Sequence, residues 1–134
     1  MAEITLRLTI ADPVPGMVYS LQDQKSVPVA PVVATDAPLS FDVPVKLSDD
    51  NRLTGPFVRR EGPERRFVYI AIGGQAGGHT TINRRAKIDI HGITADLLEQ
   101  ARAGKTLAVG LPGRDKTGLP ACATVKPSEP WRAV

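Results

Sequence analysis

The sequence predicts a mainly β protein, either a single-domain antiparallel β-sandwich or a β-rich α+β domain with one short helix. Twelve prolines and twelve glycines are spread along the 134 residues, which indicates many turns between short elements. Several segments alternate apolar and polar residues with a period of two. Strand-like and helix-like segments do not alternate regularly, which argues against a doubly wound fold. The length fits one domain, which we place at residues 1–126, followed by a polar C-terminal tail at residues 127–134.

The strands of the first half show the clearest alternation. Three segments are predicted as strands on this pattern: 3–10, 18–22 and 39–47. Pro44 predicts an edge position for the last of them, because proline cannot donate a hydrogen bond to a neighbouring strand. Pro28 and Pro31 weaken the strand pattern between them for the same reason. The segment 27–37 is therefore either an edge strand or a partner-binding loop.

The second half contains a central strand, a glycine-rich segment and the helix. Residues 67–72 are apolar at every position, which predicts a strand buried on both faces. Residues 73–81 are predicted to form a glycine-rich loop, and three further strands are predicted at 85–91, 106–111 and 121–126. The helix is expected to begin at Thr94, a good N-cap, and to end at Ala103 before Gly104. Trp131, the aromatic residue of the predicted tail, is expected to anchor the chain terminus.

Positive charge is concentrated in the middle of the chain. Residues 52–87 contain eight arginines or lysines and two glutamates, a net charge of +6, whereas the rest of the chain carries a net charge of −3. A polarised charge distribution of this kind affects partners and association more than fold. Residue types suited to catalysis are scarce in the same stretch. Anion binding by a non-catalytic module is therefore a better first hypothesis than an enzymatic reaction.

The glycine-rich loop and the basic residues after it form the predicted ligand site. The candidate ligand-binding residues are Gly73, Gly74, Gly77, Gly78, His79, Arg84, Arg85 and Lys87. Glycines allow successive backbone N–H groups to converge on a phosphate or carboxylate, and arginine adds bidentate hydrogen bonds. The spacing matches neither the P-loop nor the dinucleotide fingerprint, so a flexible strand connection is the alternative. An anionic small molecule or an acidic protein surface is the expected partner, with no cofactor.

Two enzymatic alternatives and one nucleic-acid alternative remain. Cys122 is a candidate nucleophile, with His79 or His91 as base and Asp89 or Asp115 as the residue that orients it. The small apolar neighbours of Cys122 favour buried packing instead. Asp89 and His91 share one strand face and form a candidate acid–base pair, although a solvated charged face explains the same pattern. The arginine pairs also suit phosphate contacts to nucleic acid, but few aromatic residues are available for stacking.

No metal site, membrane segment or secretory signal is predicted. The chain has one cysteine and two histidines, without the spacing of metal ligands. A single cysteine excludes an internal disulfide and fits a reducing compartment. The N-terminus shows no basic and apolar signal pattern, and no apolar run reaches the roughly 20 residues that a membrane helix needs. We expect a cytoplasmic protein.

Several motifs resemble a known family. The segments 66–73 (RFVYIAIG), 84–88 (RRAKI) and 118–125 (GLPACATV), together with 6–10, 20–22 and 55–57, are similar to a family of small bacterial proteins known as a domain of unknown function. The resemblance covers most of the chain and implies a bacterial cytoplasmic domain without an assigned activity or catalytic residues. Family members often place a tryptophan shortly before the RRAK element, whereas Thr81, Ile82 and Asn83 stand there in this chain. The resemblance therefore implies no aromatic stacking platform at that loop.

Overall fold

The computed structural model describes residues 1–76 and 79–134, and within these ranges it leaves the side-chain surroundings of residues 75–76 and 79–82 undescribed. The described residues form eleven strands and one α-helix. The strands are β1 (Ala2–Ile10), β2 (Val18–Gln22), β3 (Pro28–Val33), β4 (Leu39–Leu47), β5 (Leu53–Thr54), β6 (Val58–Glu61), β7 (Arg65–Ala76), β8 (His79–Asp89), β9 (Leu107–Leu111), β10 (Ala123–Thr124) and β11 (Glu129–Ala133). The helix is α1 (Ala95–Arg102).

The strands form two mixed sheets, as expected for a mainly β, sandwich-like single domain. Sheet A has the order β11–β9–β1–β4–β5, and sheet B has the order β10–β8–β7–β2–β3. Strand β6 pairs with the first residues of β7, and β2 pairs with Tyr69 to Gly73 of β7. The prediction of antiparallel sheets was incomplete, because β1 pairs with β9 and β8 pairs with β10 in parallel. In each case the chain between the two parallel strands is long, which is what parallel pairing requires.

The apolar faces of both sheets meet in one core. Alternate residues of β1 and β4 are almost completely buried, as the period of two predicted, and residues 67–72 of β7 are buried on both faces, as their apolar character predicted. The core residues of the central strands include Leu6, Leu8, Val43, Val45, Val68, Ile70, Ile72 and Ile88. Helix α1 packs Leu98 and Ala101 against the same cluster. Thr94 caps the helix as predicted, with its Oγ1 accepting from the Leu97 N–H, and Ala103 is the C-cap.

The two uncertain proline segments form parts of the sheets. The segment 27–37 contains β3, the edge strand of sheet B, and all six residues of β3 are exposed. Pro44 does not lie in an edge strand, since β4 stands between β1 and β5. Strand β5 pairs only with Lys46 and Leu47 of β4. At Pro44, β4 therefore has no described strand partner on the β5 side. The missing N–H of Pro44 is tolerated there for that reason.

The segment predicted as a C-terminal tail contains a strand. Residues Glu129–Ala133 form β11, which pairs antiparallel with β9 at the edge of sheet A. Trp131 is half-buried and packs against the core cluster, as expected for a residue that anchors the terminus. The register of β11 shifts between Glu129 and Arg132. Because of this irregularity, the residues of β11 do not show the clear alternation by which a strand is recognised in a sequence.

The prediction of a glycine-rich loop at residues 73–81 was wrong. Strand β7 continues through Gly73 and Gly74 to Ala76, and β8 begins at His79. Gly73 pairs with Ile82 and Gly74 pairs with Thr81, so their backbones belong to a hairpin ladder. One residue, Asn83, is bulged where the register shifts between Ile72 and Gly73. Gly77 and Gly78 lie outside the described residues.

Within the described residues, no helix is both long enough and apolar enough to cross a membrane.

Candidate functional site

The outer face of sheet B combines aromatic rings with basic side chains. Because β7 alternates, Phe67 and Tyr69 lie on the face opposite the core residues Val68 and Ile70. Both rings are nevertheless buried. The Lys87 Nζ atom lies 4.1 Å from the centre of the Phe67 ring. On this outer face, basic side chains rather than a further layer of secondary structure cover the aromatic rings.

Two guanidinium groups lie over the Tyr69 ring. The Arg59 Cζ atom is 4.8 Å from the ring centre, and the Arg85 Cζ atom is 4.9 Å from it. Arg59 comes from β6 and Arg85 from β8, the two strands that flank β7. Arg59 also donates a 2.9 Å hydrogen bond to the Ser26 hydroxyl. The three-strand arrangement therefore fixes the Tyr69 ring as the centre of a cationic surface.

A surface cavity of about 590 Å³ opens beside Tyr69. Its lining comes from β6, β7, β8 and the start of β10. The lining residues are Glu61, Tyr69, Asn83, Arg84, Arg85, Lys87, Cys122 and Ala123. Three of these residues are basic and one is acidic, so the lining carries a net charge of +2. The volume lies within the range of about 300 to 1,000 Å³ that is typical of small-molecule sites.

The acid in this cavity is already neutralised by its neighbours. Glu61 accepts a 2.5 Å hydrogen bond from the Tyr69 hydroxyl and pairs with the Lys87 ammonium. The hydrogen bonds from Lys87 and Tyr69 hold the pKa of the Glu61 carboxyl below its usual value. Burial and the bond to Glu61 raise the pKa of Tyr69. Lys87, a predicted ligand residue, is therefore engaged within the protein.

Arg84 and Arg85 differ from Lys87 in their charge environment. Among the described residues, neither guanidinium forms an ion pair with a carboxylate. Asp115 is the acid whose charge interacts with Arg84, but its carboxylate accepts from the Thr117 hydroxyl at 2.6 Å and from the N–H groups of Thr117 and Leu119. These bonds, the hydroxyl first, lower the pKa of Asp115. Asp115 thus organises the turn at residues 115–119.

A second opening of about 310 Å³ shares Asn83, Arg84 and Arg85 with the first and adds Gln22 of β2. Gln22 is only 5% exposed, and its Oε1 atom accepts no hydrogen bond from the described residues. A buried amide oxygen without a partner is unusual in a folded protein. One polar atom beside Arg84 and Arg85 is therefore left without a partner in the described part of the chain.

The predicted ligand residues divide into three groups. Arg84, Arg85 and Lys87 line the 590 Å³ cavity. Gly73 and Gly74 are paired strand residues, so their backbones do not form the expected nest. The side chain of His79, like residues 77–78, lies outside what the structure describes.

Cys122 is exposed, which corrects the expectation of buried packing. The strand predicted at 121–126 is only two residues long, and it forms the edge of sheet B beside β8. Cys122 precedes this short strand and faces the 590 Å³ cavity as one of its lining residues. His91, one of its two candidate bases, lines a different cavity.

Asp89 and His91 come into direct contact. The Asp89 Oδ1 atom lies 2.5 Å from His91 Nδ1 and accepts from the His91 backbone N–H at 2.8 Å. It also accepts from the Gly92 N–H at 3.3 Å, so the carboxylate closes the turn that leads to α1. The His91 ring packs edge-on against Phe67 with ring centres 5.5 Å apart. The orientation of the two side chains fits an acid–base pair. The hydrogen bonds from the His91 and Gly92 N–H groups to Asp89 equally explain the arrangement as part of a turn.

Sequence reasoning missed Tyr69 and Glu61 as site residues. The only available signal for Tyr69 was the alternation of side chains in any strand, which places Tyr69 on the opposite face from Val68 and Ile70. No local signal revealed Glu61, which reaches the site only through the pairing of β6 with β7. In the described part of the chain, no group of three His, Cys, Asp or Glu side chains is placed to hold a metal ion.

Comparison with known proteins gives one match. A family model described as a family of unknown function, DUF5990, matches residues 4–134. Searches of the curated proteins and of the solved structures gave no significant match.

Proposed function

The chain belongs to the family of unknown function DUF5990, and we propose that it is a non-catalytic binding module for an anionic small molecule. The ligand site is the cavity beside Tyr69 on the outer face of sheet B. One observation carries the proposal: Arg84 and Arg85 line this cavity without a carboxylate partner among the described residues, while its only lining acid is held by Lys87 and Tyr69.

The geometry favours a ligand with a phosphate or carboxylate group. Guanidinium groups bind such groups with two parallel charge-assisted hydrogen bonds. The Tyr69 ring holds the Arg85 guanidinium in place, which reduces the entropy lost when Arg85 binds a ligand. The volume of the opening is sufficient for a small molecule. Asn83 adds an amide to the same lining and can donate to a further oxygen.

The test is ligand-induced stabilisation of the native state. Thermal unfolding is measured with pyrophosphate, citrate and a sugar phosphate at physiological salt. A ligand at 100 times its Kd stabilises the native state by about 2.7 kcal/mol. The Arg84→Ala, Arg85→Ala double variant should lose at least tenfold in affinity, since each charged hydrogen bond contributes about 1.5 to 3 kcal/mol.

The control removes the same charge from the other sheet. Arg7 and Arg132 form exposed ion pairs with Asp42 and Glu129, far from the cavity lining. The Arg7→Ala, Arg132→Ala double variant should keep the ligand-induced shift, because only net charge has changed. Equal loss in both double variants would show that net charge rather than a site causes binding, and the proposal would then fail.

A further inference from the structure

A second cationic group is buried at the start of β7. Arg66 is only 6% exposed, although it carries a guanidinium. Its Nη1 atom donates to the backbone carbonyls of Pro63 and Arg65, each at 3.2 Å. Its Nε atom is buried and has no hydrogen-bond partner among the described residues. Neutral carbonyls do not balance a full charge, so the protein itself leaves the Arg66 cation incompletely compensated.

Arg66 lines a cavity of about 120 Å³ that lies between the β6–β7 turn, the end of β8 and helix α1. Its polar lining consists of Asn51, Arg52, Glu64, Arg66 and His91, and aliphatic side chains complete the wall. This cavity shares no lining residue with the cavity beside Tyr69. With about 30 Å³ per liquid water molecule, it has room for roughly four waters or for one carboxylate or phosphate group.

His91 enters this cavity in a fixed orientation. Its Nδ1 atom faces the Asp89 carboxylate at 2.5 Å and lies 3.4 Å from the Arg66 carbonyl oxygen. Nε2 is consequently the ring nitrogen that remains for another partner. The Asp89 contact favours the tautomer with a proton on Nδ1, in which Nε2 accepts, whereas protonation of the ring makes Nε2 a donor. Backbone carbonyls thus position Arg66, and the Asp89 carboxylate and the Arg66 carbonyl position His91, before any ligand is present.

We infer that this cavity is a second binding site, for a single small oxyanion held chiefly by Arg66. A carboxylate or phosphate would accept from the Arg66 Nη2 group, which makes no hydrogen bond to the described residues, and would compensate the buried charge, and Asn51 would donate from the cavity wall. Arg52 contributes less, since it is paired with Asp50 at 3.2 Å. The shared chemistry is the oxyanion. A carboxylate source would be a chain terminus or acidic side chain, and a phosphate source would be a phosphorylated metabolite.

Glu64 is the protein's own competitor for this position. It is exposed in the β6–β7 turn and lines the cavity, but it forms no ion pair with Arg66. Its charge opposes an entering anion. Removing that charge should therefore strengthen anion binding two- to threefold, which gives a test that does not disturb Arg66.

The experiment uses the full chain carrying Arg84→Ala and Arg85→Ala, so that the site beside Tyr69 does not contribute. Inorganic phosphate and acetate are titrated at constant ionic strength against chloride, with thermal unfolding and the His91 ring NMR signals as readouts. Binding should perturb the His91 signals and raise the unfolding temperature. Stronger binding of acetate identifies a carboxylate ligand, and stronger binding of phosphate identifies a phosphate ligand.

Three substitutions added to that background decide the assignment. Arg66→Met retains the apolar stem and should abolish binding. Glu64→Gln should lower the Kd about two- to threefold, and Asn51→Asp, which replaces the amide donor with a carboxylate, should raise it by at least a similar factor. The inference is overturned if neither anion perturbs His91, or if a folded Arg66→Met variant binds as well as its parent. Should Arg66→Met fail to fold, unchanged Kd values in both Glu64→Gln and Asn51→Asp would overturn it.

Discussion

Replacing Ile70 with alanine is expected to lower the free energy of unfolding by about 3 to 4 kcal/mol. Ile70 has no exposed surface and lies in the middle of β7, the strand that pairs with β2, β6 and β8. Deleting three carbon atoms there removes buried apolar area and leaves a cavity that the surrounding sheets cannot fill. Equilibrium unfolding in urea measures the loss.

A graded series identifies the cause of that loss. Ile70→Val removes one methylene group and should cost about 1 kcal/mol. Val33→Ala changes a residue of β3 that is 48% exposed, so it should change the free energy of unfolding by less than about 0.5 kcal/mol. Equal losses for Ile70→Ala and Val33→Ala would contradict the arrangement in which β7 is central and β3 is an exposed edge.

Gly113→Ala is the second substitution with a large expected effect, a loss of about 3 kcal/mol. A Cβ atom at this position would lie 2.2 Å from the Asp12 carbonyl oxygen and 2.6 Å from the Asp12 carbonyl carbon. The Gly113 N–H also donates to Asp12 Oδ1 at 2.7 Å. The clash involves backbone, which cannot rotate away, so the segments after β1 and β9 must separate.

Gly92→Ala is the matched control for this prediction. A Cβ atom at Gly92 would meet only the Asp89 Oδ2 atom at 3.9 Å, an ordinary contact distance. The substitution should therefore change the free energy of unfolding by less than about 0.5 kcal/mol. If Gly113→Ala proved as harmless as Gly92→Ala, the close approach of Gly113 to Asp12 would be incorrect.

The long amphipathic strands were predictable because their period of two directly reports one buried face. Segment 39–47 matches β4, and β1 differs from its prediction by one residue at its start. Segment 18–22 also matches β2, although all five residues of that strand are buried. Helix α1 was equally accessible, since its capping residue and its two buried side chains are local features. These elements carry their structural information within one segment of the chain.

Short strands and the hairpin extension were not accessible in this way. Strand β5 has only two residues and exists through its pairing with β4, so it carries no period of its own. The glycines at 73 and 74 indicated a loop, but pairing with residues 81 and 82 continued the ladder through them. Long-range pairing overrode local preference at both places.

The candidate site was predictable in its charge but not in its geometry. The clustering of Arg84, Arg85 and Lys87 in the sequence indicated an anion-binding surface, and these residues do line one cavity. Their separation into free and engaged cations depends on Glu61, which belongs to another strand. That distinction arises from the register of three strands, which no single segment of the sequence encodes.

The most direct test of the binding proposal is an NMR titration of the full chain with pyrophosphate at physiological salt, following backbone amide and arginine side-chain signals. The proposal predicts saturable changes at Tyr69, at residues 83–87 and at Ala123, with the side-chain signals of Arg84 and Arg85 most affected. Changes that are confined to sheet A, or that rise linearly without saturation and disappear with added salt, would contradict a defined anion site beside Tyr69.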